Sequence, residues 1–251
     1  MAADLRHMGA ESARPPRANA AALVSLGSSI AALLLFGLLS VDAAARPYAT
    51  YDVPVLRAVQ GVDLPYLNLV MRPIEWLTSG PGAVLMWVLT LAGLLAARWW
   101  LPAAVLALLP IAGGINQVIG HPTRHTRPSA DLVDPWATGD MPSFPSGHVV
   151  GAVLLYGLLF VYAEQLRPRP LRWLVRGACV VIVAVTGFAR LWYGAHWPSD
   201  VLAAYVLGGI QLAALLWLYR LGQRVGDERL VDVVTGVGRA CLALLPLRRA
   251  N

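Results

Sequence analysis

Three short segments of this chain carry residues whose types and spacing suit the transfer of a phosphoryl group. The first is Arg124-His125-Thr126-Arg127-Pro128, the second Pro145-Ser146-Gly147-His148, and the third runs from Arg190 through His196 to Asp200. Arginine guanidinium groups are planar forks that match phosphate oxygens. Ser146 and the backbone N–H groups of Gly147 and His148 stand at the start of an apolar helical pattern. Free donors and a positive dipole end make such a position a ready anion site. Gly147 lets the backbone approach a ligand closely. His196 and Asp200 are four residues apart, with Pro198 suited to a first helical turn. A carboxylate beside an imidazole fixes its tautomer and raises its basicity, which suits a nucleophilic histidine. His148 then has the chemistry to protonate a leaving oxygen. Together these groups describe phosphoryl transfer through a phosphohistidine, with no metal required.

The elements that must position these residues are membrane helices. The chain has 251 residues, 57% of them hydrophobic and only 14% charged, with mean hydropathy +0.60. Soluble domains carry about 25% charged residues, and apolar blocks of roughly 20 residues are long enough to span a bilayer. Six spans are predicted, near residues 20–41, 83–97, 101–119, 148–163, 177–193 and 200–221. A signal peptide is the rival reading of the first block, because Ala43-Ala44-Ala45 resembles a cleavage site. The block exceeds the apolar length of about 7–15 residues in such signals, so a retained helix is preferred. Residues 1–18 are expected to form a cytoplasmic tail, 19–222 a single six-helix domain, and 223–251 a second cytoplasmic tail with an amphipathic stretch. Residues 42–80 include another amphipathic stretch, expected to lie along the membrane surface.

All twenty basic residues are arginine, and the formal net charge is +6. Their clustering at helix ends argues for membrane topology and against a nucleic-acid partner. Arg167, Arg169, Arg172 and Arg176 crowd the link between the fourth and fifth spans, which puts that link and both termini in the cytoplasm. The 3–4 and 5–6 loops, with His121, His125, His148 and His196 in or beside them, then share the outer face. Arg190 lies fourteen residues beyond Arg176, about 21 Å of helix, so it falls at that outer end. Trp192, Tyr193 and Trp197 fit an aromatic belt there. Cys179 and Cys241, both in apolar surroundings, are expected to be packing residues.

The second and third segments resemble the signature of the type 2 phosphatidic acid phosphatase (PAP2) superfamily, which also includes the vanadium haloperoxidases. Its pattern is Lys-x6-Arg-Pro, then Pro-Ser-Gly-His, then Ser-Arg-x5-His-x3-Asp. The second motif is complete at 145–148, and the third is complete apart from Ala189 at its leading serine. The first departs from the pattern. With Arg127-Pro128 as the literal pair, the lysine position falls on Gly120. With Arg124 in that role, it falls on Gln117. The literal register is preferred, with Arg124 restoring the missing charge. The resemblance implies that His196 is the nucleophile, Asp200 its orienting partner and His148 the general acid. It implies that Arg127, Ser146, the Gly147 amide and Arg190 hold the phosphate, with Arg124 expected beside them as the replacement cation.

Singly, each residue has a plainer role. Ser146 and Gly147 suit a helix cap, Arg190 a snorkelling side chain, Asp200 a helix-start charge, and His196 an interfacial residue. Those readings must all hold at once to displace the catalytic one. His121 and His125 are expected to be ordinary loop residues, as are Asp131, Asp134 and Asp140. No metal site is expected, because the histidines and carboxylates lack a ligand spacing. The expectation is an all-α, polytopic membrane protein with a six-transmembrane-helix bundle of the PAP2 type. It would need no cofactor and would act in the cell membrane with its site facing outward. The bilayer and a lipid phosphate, of the undecaprenyl pyrophosphate or phosphatidic acid type, are its expected partners. The alternatives are a lipid phosphotransferase on the same scaffold, a haloperoxidase-like activity that would need vanadate, and a non-catalytic lipid-binding or transport protein. The sequence sets no oligomeric state.

Overall fold

The structure, a computed structural model, describes residues 17–135 and 142–226. The tail expected at 1–18 and the amphipathic stretch near the C-terminus therefore lie almost wholly outside the described residues. Among the described residues there is no strand. Nine helices follow in order: α1 Arg17–Ala45, α2 Asp52–Gln60, α3 Leu67–Thr78, α4 Gly80–Ala96, α5 Trp100–Leu106, α6 Leu109–Gly120, α7 Gly147–Tyr162, α8 Arg169–Trp192 and α9 Pro198–Val225. In a bilayer interior every backbone group must be satisfied within the protein, so an apolar chain of this kind closes its hydrogen bonds helix by helix.

Five stretches are long and apolar enough to cross a membrane: Leu23–Ala45, Trp100–Thr123, Gly147–Gln165, Arg169–Trp192 and Pro198–Val225. Helices α3 and α4 meet at a bend of 67° and make a sixth crossing only if the bent pair counts as one broken span. Span three is interrupted too, between α5 and α6, where Pro110 suits the new helix start. Arg98, in the left-handed region at φ 59°, closes the tight turn between α4 and α5.

Helix α7 is the hub. It packs against α8 and α9 most extensively and also touches α3, α4, α5 and α6. Val149, Val150, Leu154, Leu158 and Tyr162 are buried along it, which is why its sequence is apolar on every face. Helix α1 differs, because Leu23, Leu26, Leu33, Leu34 and Leu38 are exposed, as residues facing lipid would be.

The stretch read as able to lie along the membrane surface also packs into the bundle. Its second half, α3, packs against α8 and α7, burying Met71, Ile74 and Thr78. Its amphipathic pattern serves protein packing on one side.

Candidate active site

The starts of α7 and α9 and the end of α8 meet at one end of the bundle. The loop carrying residues 124–128 is tied to them by three contacts. Arg127 donates to the carbonyl of Ala195 at 2.8 Å. The indole of Trp197 donates to the carbonyl of Thr126 at 2.9 Å. The imidazole Nδ1 of His125 lies 2.9 Å from Asp200 Oδ1. The backbone N–H of Ser146 faces the carbonyl of Asp200 at 3.4 Å, joining the remaining segment. Gly194 makes the turn between α8 and α9 at φ 61°, a conformation that favours glycine.

These segments enclose a cavity of about 230 Å³ whose lining includes Asn116, Gln117, Arg127, Gly147, His148 and His196. Asp200 lies behind His196, fully buried. Its Oδ2 is 3.6 Å from His196 Nδ1 and accepts the backbone N–H of Trp197 at 2.9 Å. The Nδ1 edge of His196 therefore faces the carboxylate, leaving Nε2 as the ring nitrogen free for chemistry. Burial lowers the pKa of His196 below its ordinary value; Asp200 opposes this, and Arg127 and Arg190 reinforce it. Arg127 is also lowered by burial, with Asp200 opposing, and it remains a cation at any physiological pH.

Ser146 is the residue preceding α7, but its side chain makes no capping hydrogen bond. Its Oγ is buried with no partner among the described residues. The plain helix-cap reading therefore does not account for this hydroxyl, although Ser146 itself is not among the residues that line the cavity. Arg190 is buried and is not among the residues that line the cavity. Arg124 is exposed, left-handed at φ 48°, and is not among the cavity-lining residues, so the structure does not bring it to the other arginine. Gly120 is buried, and a Cβ there would meet the carbonyl oxygen of Phe144 at 2.3 Å. No lysine fits at Gly120, whereas Gln117, one turn earlier, lines the cavity.

Four residues take roles that their local sequence did not reveal. His125, expected to be a loop residue, is buried against Asp200, and the Ser143 hydroxyl lies 3.2 Å from the same Nδ1. Trp197, expected in an aromatic belt, is buried with 1% exposure and pins the Arg127 loop. Asp52 is fully buried and accepts from Ser199 N and Oγ, each at 2.8 Å, and from Ala49 N at 2.7 Å. It thus fixes the α9 start that carries Asp200. Burial is the main cause raising its pKa. Glu75 of α3 pairs with Arg190 and lies 3.8 Å from His148 Nε2. One signal was available for Glu75: it is the sole acidic residue between Asp63 and Asp131, and an acid in a largely apolar membrane stretch is a candidate site residue.

A second, apolar cleft of about 610 Å³ runs between α4, α6 and α7. Asn116, Gln117, Gly147 and His148 line both it and the polar cavity, so the two adjoin.

Known proteins were compared with this chain. A family model described as the PAP2 superfamily matches residues 98–224. Phosphatidylglycerophosphatase B of Bacillus subtilis is 25% identical over 186 residues, covering 71% of this chain and 88% of the relative. Undecaprenyl-diphosphatase BcrC of the same organism is 38% identical over 65 residues, 26% of this chain and 29% of the relative. The crystal structure of a transmembrane PAP2-type phosphatidylglycerolphosphate phosphatase from Bacillus subtilis matches with a TM-score of 0.63. It is 24% identical, and the match covers 74% of this chain and 93% of the other. At that identity it speaks for the fold.

Proposed function

From the premise that the chain belongs to the PAP2 superfamily and is a lipid phosphatase, we propose that it hydrolyses a lipid phosphomonoester or pyrophosphate through a phosphohistidine, without a metal ion. The observation that carries this reading is the meeting of His148, His196 with Asp200, and Arg127 around one polar cavity beside an apolar cleft. A substrate with a phosphate head and apolar tails has the same two-part character.

His196 Nε2 attacks phosphorus as the bond to the leaving oxygen breaks. Asp200 steadies the imidazolium character that develops on the ring. His148 gives a proton to the leaving oxygen, and the lipid product departs. Water then attacks phosphorus as the phosphorus–nitrogen bond breaks, the electron pair returns to His196 Nε2, His148 takes up the water's proton, and inorganic phosphate leaves. Arg127, Arg190, Ser146 and the Gly147 amide hold the equatorial oxygens and stabilise charge there. Arg190 must exchange Glu75 for phosphate to do so.

The names of the two relatives, a phosphatidylglycerophosphatase and an undecaprenyl-diphosphatase, support lipid phosphates as the substrate class. The arginines at 167, 169, 172 and 176 favour a cytoplasmic position for the opposite end of α8. The site then faces outward across the cell membrane. Labelling of Arg124→Cys by an impermeant thiol reagent on intact cells tests that side, and labelling only after lysis would reverse it.

The deciding experiment compares purified wild type with His196→Ala for phosphate release from several lipid phosphates, with and without a chelator. Release should fall by roughly 10³-fold or more in the variant and be insensitive to chelation. Equal release by both proteins would remove His196 as nucleophile, and loss on chelation would remove the metal-free mechanism.

A further inference from the structure

Glu75 brings a negative charge into a site otherwise built for an anion. Its carboxylate pairs with Arg190, and once Arg190 turns to the phosphate it is left as an uncompensated negative charge. Its other oxygen is 3.8 Å from Nε2 of His148, the group that faces the leaving oxygen in the mechanism above. A third cation is lacking, because the literal lysine position is Gly120, where the Phe144 carbonyl excludes any side chain. Gln117, the alternative position, is neutral. Among the described residues, Arg127 is therefore the one cavity-lining arginine, and it forms no ion pair.

We infer that Glu75 sets the charge of the leaving group this site accepts, favouring a lipid phosphomonoester over a lipid diphosphate. The inference rests on the phosphatase reading proposed above. The two substrates differ in what departs. From a monoester the leaving oxygen takes the proton of His148 and departs as a neutral lipid alcohol. From a diphosphate, cleavage of the terminal phosphoanhydride leaves an anionic lipid monophosphate beside His148, and so beside Glu75. Like charges in a partly buried site repel strongly. An element that repels the wrong substrate is as effective for selectivity as one that attracts the right one.

The test uses a matched pair, farnesyl phosphate and farnesyl diphosphate, with the full-length purified protein in detergent. Wild type, Glu75→Gln, Glu75→Asp and Gln117→Lys are assayed for phosphate release. Glu75→Gln should raise the diphosphate-to-monophosphate ratio of kcat/KM by about tenfold, the order expected for removal of one nearby unit charge. Most of the change should appear as a lower KM for the diphosphate. Glu75→Asp, which keeps the charge, should hold the wild-type ratio. Gln117→Lys adds a cation in the cavity and should move the ratio the same way, which checks that the assay reads charge at the site. If Glu75→Gln does not fold, Glu75→Ala replaces it. An active, charge-neutral variant at position 75 whose ratio moves by less than about twofold would overturn the inference alone. A Glu75→Asp protein that behaves like Glu75→Gln would also overturn it, since shape would then be the cause. A wild type inactive on both lipids would overturn the phosphatase reading, and the inference with it.

Discussion

Helix α8 carries arginine–glutamate pairs at both of its ends, and the two are built differently. At its start, Arg172 and Arg176 both bind Glu164, the closer contacts being 2.8 and 2.5 Å. The Glu164 side chain is 59% exposed. At its other end, Arg190 binds Glu75, whose side chain is only 16% exposed, and Arg190 itself is 6% exposed. Exposed pairs contribute little, because water already solvates both partners. A buried charged pair costs desolvation that is recovered only with good geometry and further hydrogen bonds. Here the buried pair adjoins His148, which lines the His196 cavity, while the exposed pair fastens α8 to the end of α7. Burial and company, rather than pairing itself, separate a candidate site from a surface clasp.

The sharpest way to break that contrast lies at the buried end. Asp200→Asn should lower kcat/KM by about 10³-fold, because the carboxylate no longer steadies His196. It should also move the acid limb of the residual activity. His196 is held below its ordinary value of 6.5, and Asp200 opposes that lowering. Removing the carboxylate lowers it further, so the limb shifts to lower pH. Comparing the two pH–rate profiles on one substrate cancels the substrate's own ionisation. A limb that stays put, or moves up, would show that His196 does not set it. His125→Ala is expected to act less strongly, by about tenfold to a hundredfold, the range of partners that orient a reacting group. The loss should appear in kcat rather than KM, since His125 is not among the residues lining the cavity. An unchanged kcat would return His125 to the role of a loop residue.

The fold was legible from the sequence because lipid leaves few choices: apolar blocks of spanning length become helices. The three chemical segments were legible because their spacing is local. His196 and Asp200 share a helix start, and Pro145 to His148 is continuous. What escaped depends on distance. His125 meets Asp200 across 75 residues, and Asp52 meets Ser199 across 147. No periodicity reports such pairings. Trp197 reads as part of an aromatic belt with Trp192 and Tyr193, and only the packed Arg127 loop makes it a buried clamp. Glu75 sat in a stretch whose amphipathic pattern fits a membrane surface as well as it fits α8. The bend between α3 and α4 was hard to foresee for a related reason: Pro73 falls inside α3, while the bend comes later, at Ser79.

The smallest expected effect tests the other half of the contrast. Glu164→Gln removes the charge that Arg172 and Arg176 share, yet both arginines retain backbone partners, Leu166 and Phe160. Arg176 also keeps its guanidinium over the rings of Phe160 and Trp173, at 5.0 and 5.7 Å. Stability should therefore fall by less than about 1 kcal/mol, a Tm shift of at most about 4 °C for a chain of this size. Phosphate release should be unchanged, because the clasp lies a helix length away from the cavity. The measurements are thermal unfolding in detergent and the same lipid-phosphate assay. If Glu164→Gln instead altered turnover as strongly as changes around Arg190, the two ends of α8 would be coupled through the helix. Exposure would then be no guide to which pair serves the reaction.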